Sequence, residues 1–322
     1  MITRLDIVRC VATADATAPA RPKEDQPMRR TLATFAATLV ATTLLAAGST
    51  SAFAQAAPAA PSAGLAAAFA RADQTVEYHV MIAAPAMKEA DVAAVYEAAV
   101  VKPLAVVAEV GALKKPKPGI YVDDRAQGLE KKNLIVRVRQ GQITVKARAS
   151  SPDVLLDLAA CSAKKYEMDW FGTPDYSISS DIKFKDEEFD VKPAAWTPPK
   201  LWAFMGTKCP DLMKQIGPAV AAAPAIEIPG VASMYSAEVK LKHPKAADLA
   251  KAGLEAGVAV WFFPPTDRYL VELAFTGNNA NRAASDKMYA DILAELKKAN
   301  LLAADQTSKT QQYFAAYFGA KK

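Results

Sequence analysis

The sequence predicts an α+β fold, and two observations support this prediction. Several short segments alternate apolar and charged residues, which is typical of strands with one face in a core. Other segments carry apolar residues three and four positions apart, the spacing of helices that pack one face on a sheet. After residue 54, no segment reaches the roughly 18 consecutive apolar residues of a membrane span, so we expect a soluble protein.

The first 54 residues predict an exported protein. Residues 1–27 show no sustained period and are interpreted as a leader or a misassigned start. Residues 28–54 have the three parts of a signal peptide: basic residues at its start, an apolar stretch to Ala47, and an Ala-x-Ala cleavage site that ends at Ala54. We therefore expect a periplasmic or secreted protein with a flexible, Ala/Pro-rich lead-in over residues 55–74 and one folded domain over residues 75–320.

The net charge gives no argument for a nucleic-acid partner. The chain of 322 residues has a formal charge of +5, and its first 54 residues hold six Lys or Arg and four Asp or Glu. The expected mature protein therefore has a formal charge of only +3. Any anion-binding site must depend on a local cluster of cations.

Export also bears on the cysteines. Cys10 precedes the expected cleavage site, which leaves Cys161 and Cys209. An oxidising compartment favours a disulfide between them, which would close a loop of roughly 50 residues and contribute about 3 to 4 kcal/mol. Two buried free thiols are the alternative. No spacing of Cys and His residues indicates a zinc site.

The domain begins with a strand predicted over residues 75–82. One parity of this strand is apolar, and the other holds Glu77, His79 and Met81. A partly buried, hydrogen-bonded imidazole is the ordinary interpretation of His79, and metal ligation is the alternative. Residues 87–101 follow with apolar residues at helical spacing, and we expect a helix that packs on the sheet.

A predicted β-hairpin over residues 134–148 concentrates positive charge. Its first strand alternates aliphatic residues with Arg137 and Arg139, and its second strand carries Lys146 and Arg148 in the same way. Gln140 and Gly141 form the turn, where Gly tolerates a positive φ. Pairing places the four cations on one face, where they repel one another unless an anion or facing carboxylates neutralise them.

A strand over residues 165–170 supplies carboxylates. Its charged parity holds Lys165, Glu167 and Asp169. Acids at positions i and i+2 lie about 7 Å apart, which is close enough to share a metal ion or to brace two cations. A salt-bridge ladder on an exposed face is the alternative interpretation.

The remaining elements complete the sheet and its cover. Strands are predicted over residues 236–242, 258–263 and 267–276, and helices over residues 246–256, over residues 282–299 and from Ser308 onward. Charged residues again share one parity: Glu238 and Lys240 on one of these strands, and Arg268 and Glu272 on another.

The order and spacing of these residues resemble the CYTH domain, the fold of the triphosphate tunnel metalloenzymes. In that family a Tyr-x-Asp strand end and an R-x-R strand lead into a T-x-K-x-R strand. The matching residues here are Tyr121, Asp123, Leu129, Asn133, Arg137, Arg139, Thr144, Lys146 and Arg148. Lys165, Glu167 and Asp169 resemble the R-x-E-x-E strand of the family. Its E-x-E-x-K signature reads Glu77-x-His79-x-Met81 here, and its late E-x-E reads Glu272-x-Ala274.

The resemblance implies a closed or nearly closed antiparallel β-barrel, a tunnel with flanking helices. The candidate phosphate-binding residues are Arg137, Arg139, Lys146, Arg148, Lys165, Lys240 and Arg268. The candidate ligands for Mg²⁺ or Mn²⁺ are Glu77, Glu167, Asp169 and Glu272. An open sheet with its charges in solvent would show the same alternation, so alternation alone does not choose between a barrel and a sheet.

Three functions are compatible with this tunnel. The first is binding of a triphosphate or polyphosphate without turnover, which the replacements at His79, Met81 and Ala274 favour. The alternative is a triphosphatase or polyphosphatase that depends on a divalent metal. The second alternative is a structural envelope protein whose charged interior neutralises itself. The sequence has no arrangement typical of nucleophilic catalysis and no Gly-rich phosphate loop.

Overall fold

The computed structural model describes residues 63–139, 141–185, 197–223, 225–251, 253 and 255–319. The predicted leader (residues 1–27), the predicted signal peptide (residues 28–54) and the first part of the predicted lead-in lie outside the described residues. So does Gln140 of the predicted hairpin turn, whereas its neighbour Gly141 has the expected positive φ of 71°.

The described residues contain strands that form one sheet. In chain order, the strands are β1 (Thr75–Ile82), β2 (Ala108–Val110), β3 (Lys117–Val122), β4 (Leu134–Arg139), β5 (Gln142–Ala149), β6 (Ala163–Trp170), β7 (Pro174–Lys183), β8 (Ala232–Leu241), β9 (Ala256–Phe262) and β10 (Tyr269–Asn278). Nine of these strands follow one another in the order β8-β3-β4-β5-β7-β6-β1-β10-β9, and β9 pairs again with β8. The sheet therefore closes into a barrel, and β2 extends it outside by pairing with β8.

The closed barrel with flanking helices is confirmed. Its pairings are antiparallel except for β1 and β6, which run parallel with Glu77 opposite Asp169. The barrel is therefore mixed rather than wholly antiparallel. Closure has a consequence for each strand: one parity points into the lumen, and the other points toward the covering helices.

Helices pack on the outer surface of the barrel. They are α1 (Ala63–Phe69), α2 (Val92–Tyr96), α3 (Lys102–Leu104), α4 (Pro198–Lys208), α5 (Pro210–Ala221), α6 (Ala246–Lys251), α7 (Arg282–Lys298) and α8 (Lys309–Phe318), with a π-helical turn (Glu97–Val101) between α2 and α3. Among the helices of the described residues, none has the length and apolarity needed to cross a membrane.

The apolar residues of the strands, which share one parity in each strand, form the cores beneath these helices. Met288 and Leu296 of α7 pack in one core with Leu273 of β10, while Leu201 of α4 packs in a second core with Val145 of β5. Each such side chain contributes roughly 1.5 to 3 kcal/mol when it is fully buried. These outer cores fix which parity of each strand faces the lumen.

Helix α8 covers one end of the barrel. Its Tyr313 and Phe314 are buried against Tyr121, Trp261 and Leu270, which face inward at that end. Met81 belongs to the same apolar cluster. The lumen is therefore apolar under α8, and its ionic residues lie toward the other end of the barrel.

Two predictions near the edges of the domain have different outcomes. The lead-in over residues 55–74 was expected to be flexible, but α1 forms within it because Leu65 and Phe69 find a core, with the Phe69 ring 5.2 Å from that of Tyr176. The disulfide between Cys161 and Cys209 is confirmed, and it ties the chain before β6 to the residue between α4 and α5.

Candidate functional site

The inward parities of the strands bring the predicted cations and acids into one cavity of about 350 Å³. The strand register causes this convergence: β1 places Glu77 beside Asp169 of β6, and β4 places Arg137 opposite Thr144 of β5. The charged residues that line the cavity are Arg137, Arg139, Lys146, Arg148, Lys165, Lys309, Glu77, Glu167, Asp169 and Asp181. We call this cavity the tunnel site.

One side of the tunnel site is a network of ion pairs around Asp169. Lys146 Nζ lies 3.0 Å from Asp169 Oδ2 and 3.3 Å from Glu167 Oε2, and an Arg148 guanidinium nitrogen lies 2.9 Å from Asp169 Oδ2. Lys165 Nζ completes the network 2.6 Å from Glu167 Oε1. Burial alone would raise the pKa of Asp169, but Lys146, His79 and Arg148 outweigh it and hold that pKa well below its usual range. This side is self-neutralised.

The other side presents two arginines that form no ion pair with any described residue. Arg137 and Arg139 alternate on β4, so their guanidinium groups project from the same face into the cavity. Within the part of the chain that the structure describes, neither side chain has a hydrogen bond or an ion pair, and the Nε atom of each is buried without a partner. Burial, and then repulsion from Arg137, lower the pKa of Arg139 to about 10. An anion would relieve both effects.

His79 lies at the centre of the carboxylates and is only 2% exposed. Its Nδ1 is 2.8 Å from Glu272 Oε1, and its Nε2 is 3.4 Å from Asp169 Oδ1 and 3.8 Å from Glu77 Oε2. Phe171 stacks on the ring at 4.5 Å between centroids. Burial lowers the pKa of His79, but hydrogen bonds to Asp169 and Glu272 outweigh it and raise that pKa to about 9. The expected buried, hydrogen-bonded imidazole is present, in a more ionic setting than the sequence indicated.

Lys309 is a residue of the site that the sequence prediction did not include. Its Nζ lies 3.2 Å from both carboxylate oxygens of Glu272. It reaches the lumen because α8 begins there, held by a capping box between Ser308 and Gln311. The Ser308-Lys309 pair at the predicted helix start was the available signal. Sequence could not show that this helix start enters the barrel.

Two of the candidate phosphate-binding residues lie outside the tunnel site. Lys240 is 83% exposed and 3.7 Å from Glu109, because the end of β8 runs past β9 and pairs with β2 instead. Arg268 precedes β10 at the end covered by α8, where it donates to the carbonyl of Ala315. Glu238, which shares the charged parity of Lys240, is an exposed partner of Lys114. Strand parity was correct there, but parity does not show how far the lumen extends.

The four candidate metal ligands do not converge on one ion. Glu77, His79 and Asp169 each offer one ligand atom within 4.8 Å of the others, but neither Glu167 nor Glu272 belongs to this group. Glu167 is bound to Lys146 and Lys165, as described above, and Glu272 to Lys309. A cluster of one imidazole and two carboxylates is present, and it does not fit the all-oxygen, near-octahedral shell that Mg²⁺ prefers.

Comparison with known proteins adds only distant likenesses. No protein-family model matches the chain, and no curated protein matches it by sequence. Among solved structures, a candidate adenylate cyclase from Bacillus halodurans has 12% identity and a TM-score of 0.38, covering 75% of this chain and 98% of that chain. A candidate adenylyl cyclase from Hippeastrum, described as having a dominant triphosphatase activity, has 9% identity and a TM-score of 0.41, covering 74% and 93%. A candidate adenylate cyclase from Vibrio parahaemolyticus has 10% identity and a TM-score of 0.33, covering 76% and 98%. At these scores the likenesses carry no inference about activity.

Proposed function

We propose that this protein is exported and binds a phosphate-rich anion, a triphosphate or a polyphosphate, in its tunnel site. The observation that carries the proposal is the pair of guanidinium groups of Arg137 and Arg139 inside the cavity, which have no ion-pair or hydrogen-bond partner among the described residues. Two neighbouring half-buried cations repel each other, and their partial burial removes some of the water that would solvate them. A bound anion reverses both costs, so the site favours an anionic ligand.

The chemistry of the lining favours phosphate over other anions. Arginine binds phosphate oxygens through two parallel N–H donors, and both guanidinium groups have donors to offer. Lys146, Arg148 and Lys165 lie farther along the same cavity, where they would meet a chain of several phosphates. The volume of about 350 Å³ falls at the low end of the range of about 300 to 1,000 Å³ that is usual for small-molecule sites.

The self-neutralised interior of a structural protein explains only part of the lumen. The Asp169 network needs no ligand, because each of its carboxylates already has a cation within 3.3 Å. Within the described part of the chain, Arg137 and Arg139 have no carboxylate at such a distance. A purely structural lumen would gain stability from apolar residues at these two positions, which is why we favour a binding function.

Export is the second part of the proposal. The signal-peptide pattern over residues 28–54 lies outside the described residues, so its support comes from the sequence. The disulfide between Cys161 and Cys209 supports it independently, because such bonds form and persist in oxidising compartments. Fractionation of cells that express the full chain would test it, with cleavage after Ala54 expected in the exported fraction.

Binding is tested by the thermal stability of the protein with sodium tripolyphosphate in excess EDTA. A ligand at 100 times its Kd stabilises a protein by about 2.7 kcal/mol. Arg139→Ala removes charge-assisted hydrogen bonds worth about 1.5 to 3 kcal/mol, which corresponds to roughly 10- to 150-fold in Kd. Arg268→Ala, an arginine on the same barrel outside the tunnel site, is the matched control and should keep the full thermal shift. No shift in the unaltered protein would refute the proposed function.

Metal-dependent hydrolysis of a triphosphate is the second candidate function. One observation favours it: Glu77, His79 and Asp169 could each give a ligand atom to the same ion. This arrangement requires Nε2 of His79 to lose its proton, since a protonated nitrogen has no lone pair for a metal. Release of phosphate from tripolyphosphate with Mn²⁺, and none with EDTA, is the result that would support this candidate instead.

A further inference from the structure

We propose that His79 takes the place of a divalent cation inside the tunnel, bridging Glu77, Asp169 and Glu272 so that the site binds its anion without metal. This inference rests on the proposed function, because it concerns how the same site balances its charges. It assigns His79 a role as a positioning residue that acts through the carboxylates around it.

The surroundings of the imidazole ring show what it bridges. Nδ1 faces Glu272 at 2.8 Å, and Nε2 faces both Asp169 at 3.4 Å and Glu77 at 3.8 Å. Ionised carboxylates only accept hydrogen bonds, and an imidazole donates from both nitrogens only when it is protonated. Phe171, with its ring plane 11° from that of His79, holds the imidazole in this orientation. The ring therefore occupies the space between carboxylates as a cation.

The carboxylates are also engaged on their other sides. Asp169 accepts from Lys146 and Arg148 through Oδ2, and Glu272 accepts from Lys309. A divalent ion would have to replace these donors or share oxygens with them, in a site that already contains several cations. Close cations repel an added ion strongly where water is scarce. The side-chain cations thus supply the charge that a metal would otherwise supply.

Glu77 shows why the imidazole is needed. It is 29% exposed, and its nearest cation among the described residues is His79. Without that ring, Glu77 and Asp169 would stand side by side on paired strands as two carboxylates. Like charges directly opposite each other in a sheet destabilise the paired strands, and proteins commonly neutralise such paired carboxylates with a divalent ion. Removing the histidine should therefore create an affinity for metal that the natural protein lacks.

The test measures binding of MnCl₂ alone, by calorimetry at pH 7, to the natural protein and to His79→Glu. The variant replaces the internal cation with a carboxylate, and we expect it to bind Mn²⁺ at least about tenfold more tightly than the natural protein. His243→Glu is the matched control: it makes the same change at the other histidine of the chain, which is paired with Asp291 outside the tunnel. This control should bind Mn²⁺ like the natural protein.

A second variant keeps the proposal testable if His79→Glu does not fold. His79→Gln removes the cation without adding charge, and we expect it also to gain affinity for Mn²⁺. The proposal is overturned if the natural protein binds Mn²⁺ and His79→Gln loses that binding, because His79 would then be a metal ligand. It is equally overturned if neither variant gains binding.

Failure of this inference is distinguishable from failure of the proposed function. Thermal stabilisation of the natural protein by tripolyphosphate in EDTA reports the function, whereas Mn²⁺ binding without phosphate reports the role of His79. We expect the tripolyphosphate shift of the natural protein to be no larger with MgCl₂ in excess over EDTA, which leaves free Mg²⁺, than in EDTA alone. A shift that appears only with free Mg²⁺ would overturn the metal-independent site while leaving anion binding intact.

Discussion

Replacing Asp169 with Asn is the perturbation that best probes the charge balance of the tunnel site. Asp169 is 1% exposed and accepts from Lys146, Arg148 and His79. Asn has nearly the same shape but no charge, so three cations would lose their shared counter-ion without a change in packing. The variant should be less stable without ligand, and should gain more stability than the natural protein when a polyanion binds.

The size of the effect follows from burial. Removing one partner of a buried ion pair costs about 3 to 5 kcal/mol, because the remaining charge stays out of water. For a domain of this size, 1 kcal/mol shifts the melting temperature by about 2 to 4 °C, so we expect a fall of about 6 to 20 °C. Tripolyphosphate should restore part of this loss, since it supplies negative charge beside Lys146 and Arg148.

Differential scanning fluorimetry with and without tripolyphosphate measures both parts of the prediction. Asp73→Asn is the matched control, because Asp73 forms an ion pair with Arg71 at 2.6 Å with both side chains largely exposed. Exposed ion pairs contribute little to stability, so the melting temperature of this control should be nearly that of the natural protein. A melting temperature for Asp169→Asn that equals that of the control would refute the account of a buried network.

Two further predictions concern pH and the disulfide. The folded-state pKa of His79 is raised to about 9, so its charged form stabilises the protein fully below its unfolded pKa of about 6.5, and this stabilisation is lost as the pH rises through about 9. Urea denaturation between pH 6 and pH 10 should show this fall in the free energy of unfolding. An equal fall in His79→Gln would show that His79 does not cause it. The double variant Cys161→Ser with Cys209→Ser should lower the free energy of unfolding by about 4 kcal/mol for a loop of this length, measured by the same denaturation, and an unchanged midpoint would show that the unfolded chain is not restrained by the bond.

Local patterns in the sequence were sufficient for seven strands, β1, β4, β5, β6, β8, β9 and β10, and for the charged face of those that carry one, but β2, β3 and β7 were not predicted from them. Alternation along β1, β4, β5 and β6 is a property of neighbouring residues, and a strand turns its side chains to opposite faces whatever its partners are. For this reason the hairpin cations were correctly predicted to share one face of their strands, and the acids of β6 one face of theirs; closure of the barrel, which alternation does not show, turns these faces inward. Helix α4 was not predicted from the sequence, because its first residues, Pro198 and Pro199, are also typical of loops, although proline is tolerated in the first turn of a helix.

The identity of neighbours in the barrel was beyond the reach of local patterns. Nothing in the sequence showed that β1 lies parallel to β6, yet that pairing puts Glu77 beside Asp169 and sets His79 among the carboxylates. The extent of the lumen was hidden for the same reason. Lys240 and Arg268 have the parity of the inward-facing residues. However, β8 carries Lys240 beyond the barrel at one end, and α8 covers the other end, where Arg268 lies.

The sequence by itself determined the α+β class, the charged faces of the hairpin strands and of β6, and the four hairpin cations, because these depend on composition and on residues close along the chain. Whether Cys161 and Cys209 pair was left open, since they lie 48 residues apart. The tertiary structure alone decided which of those cations are neutralised. Lys146 and Arg148 form ion pairs with Asp169, whereas among the described residues no acid lies within ion-pair distance of Arg137 or Arg139. Ion pairs form through distances of a few ångströms between strands far apart in sequence, so only the closed barrel could separate a structural cation from one left for a ligand.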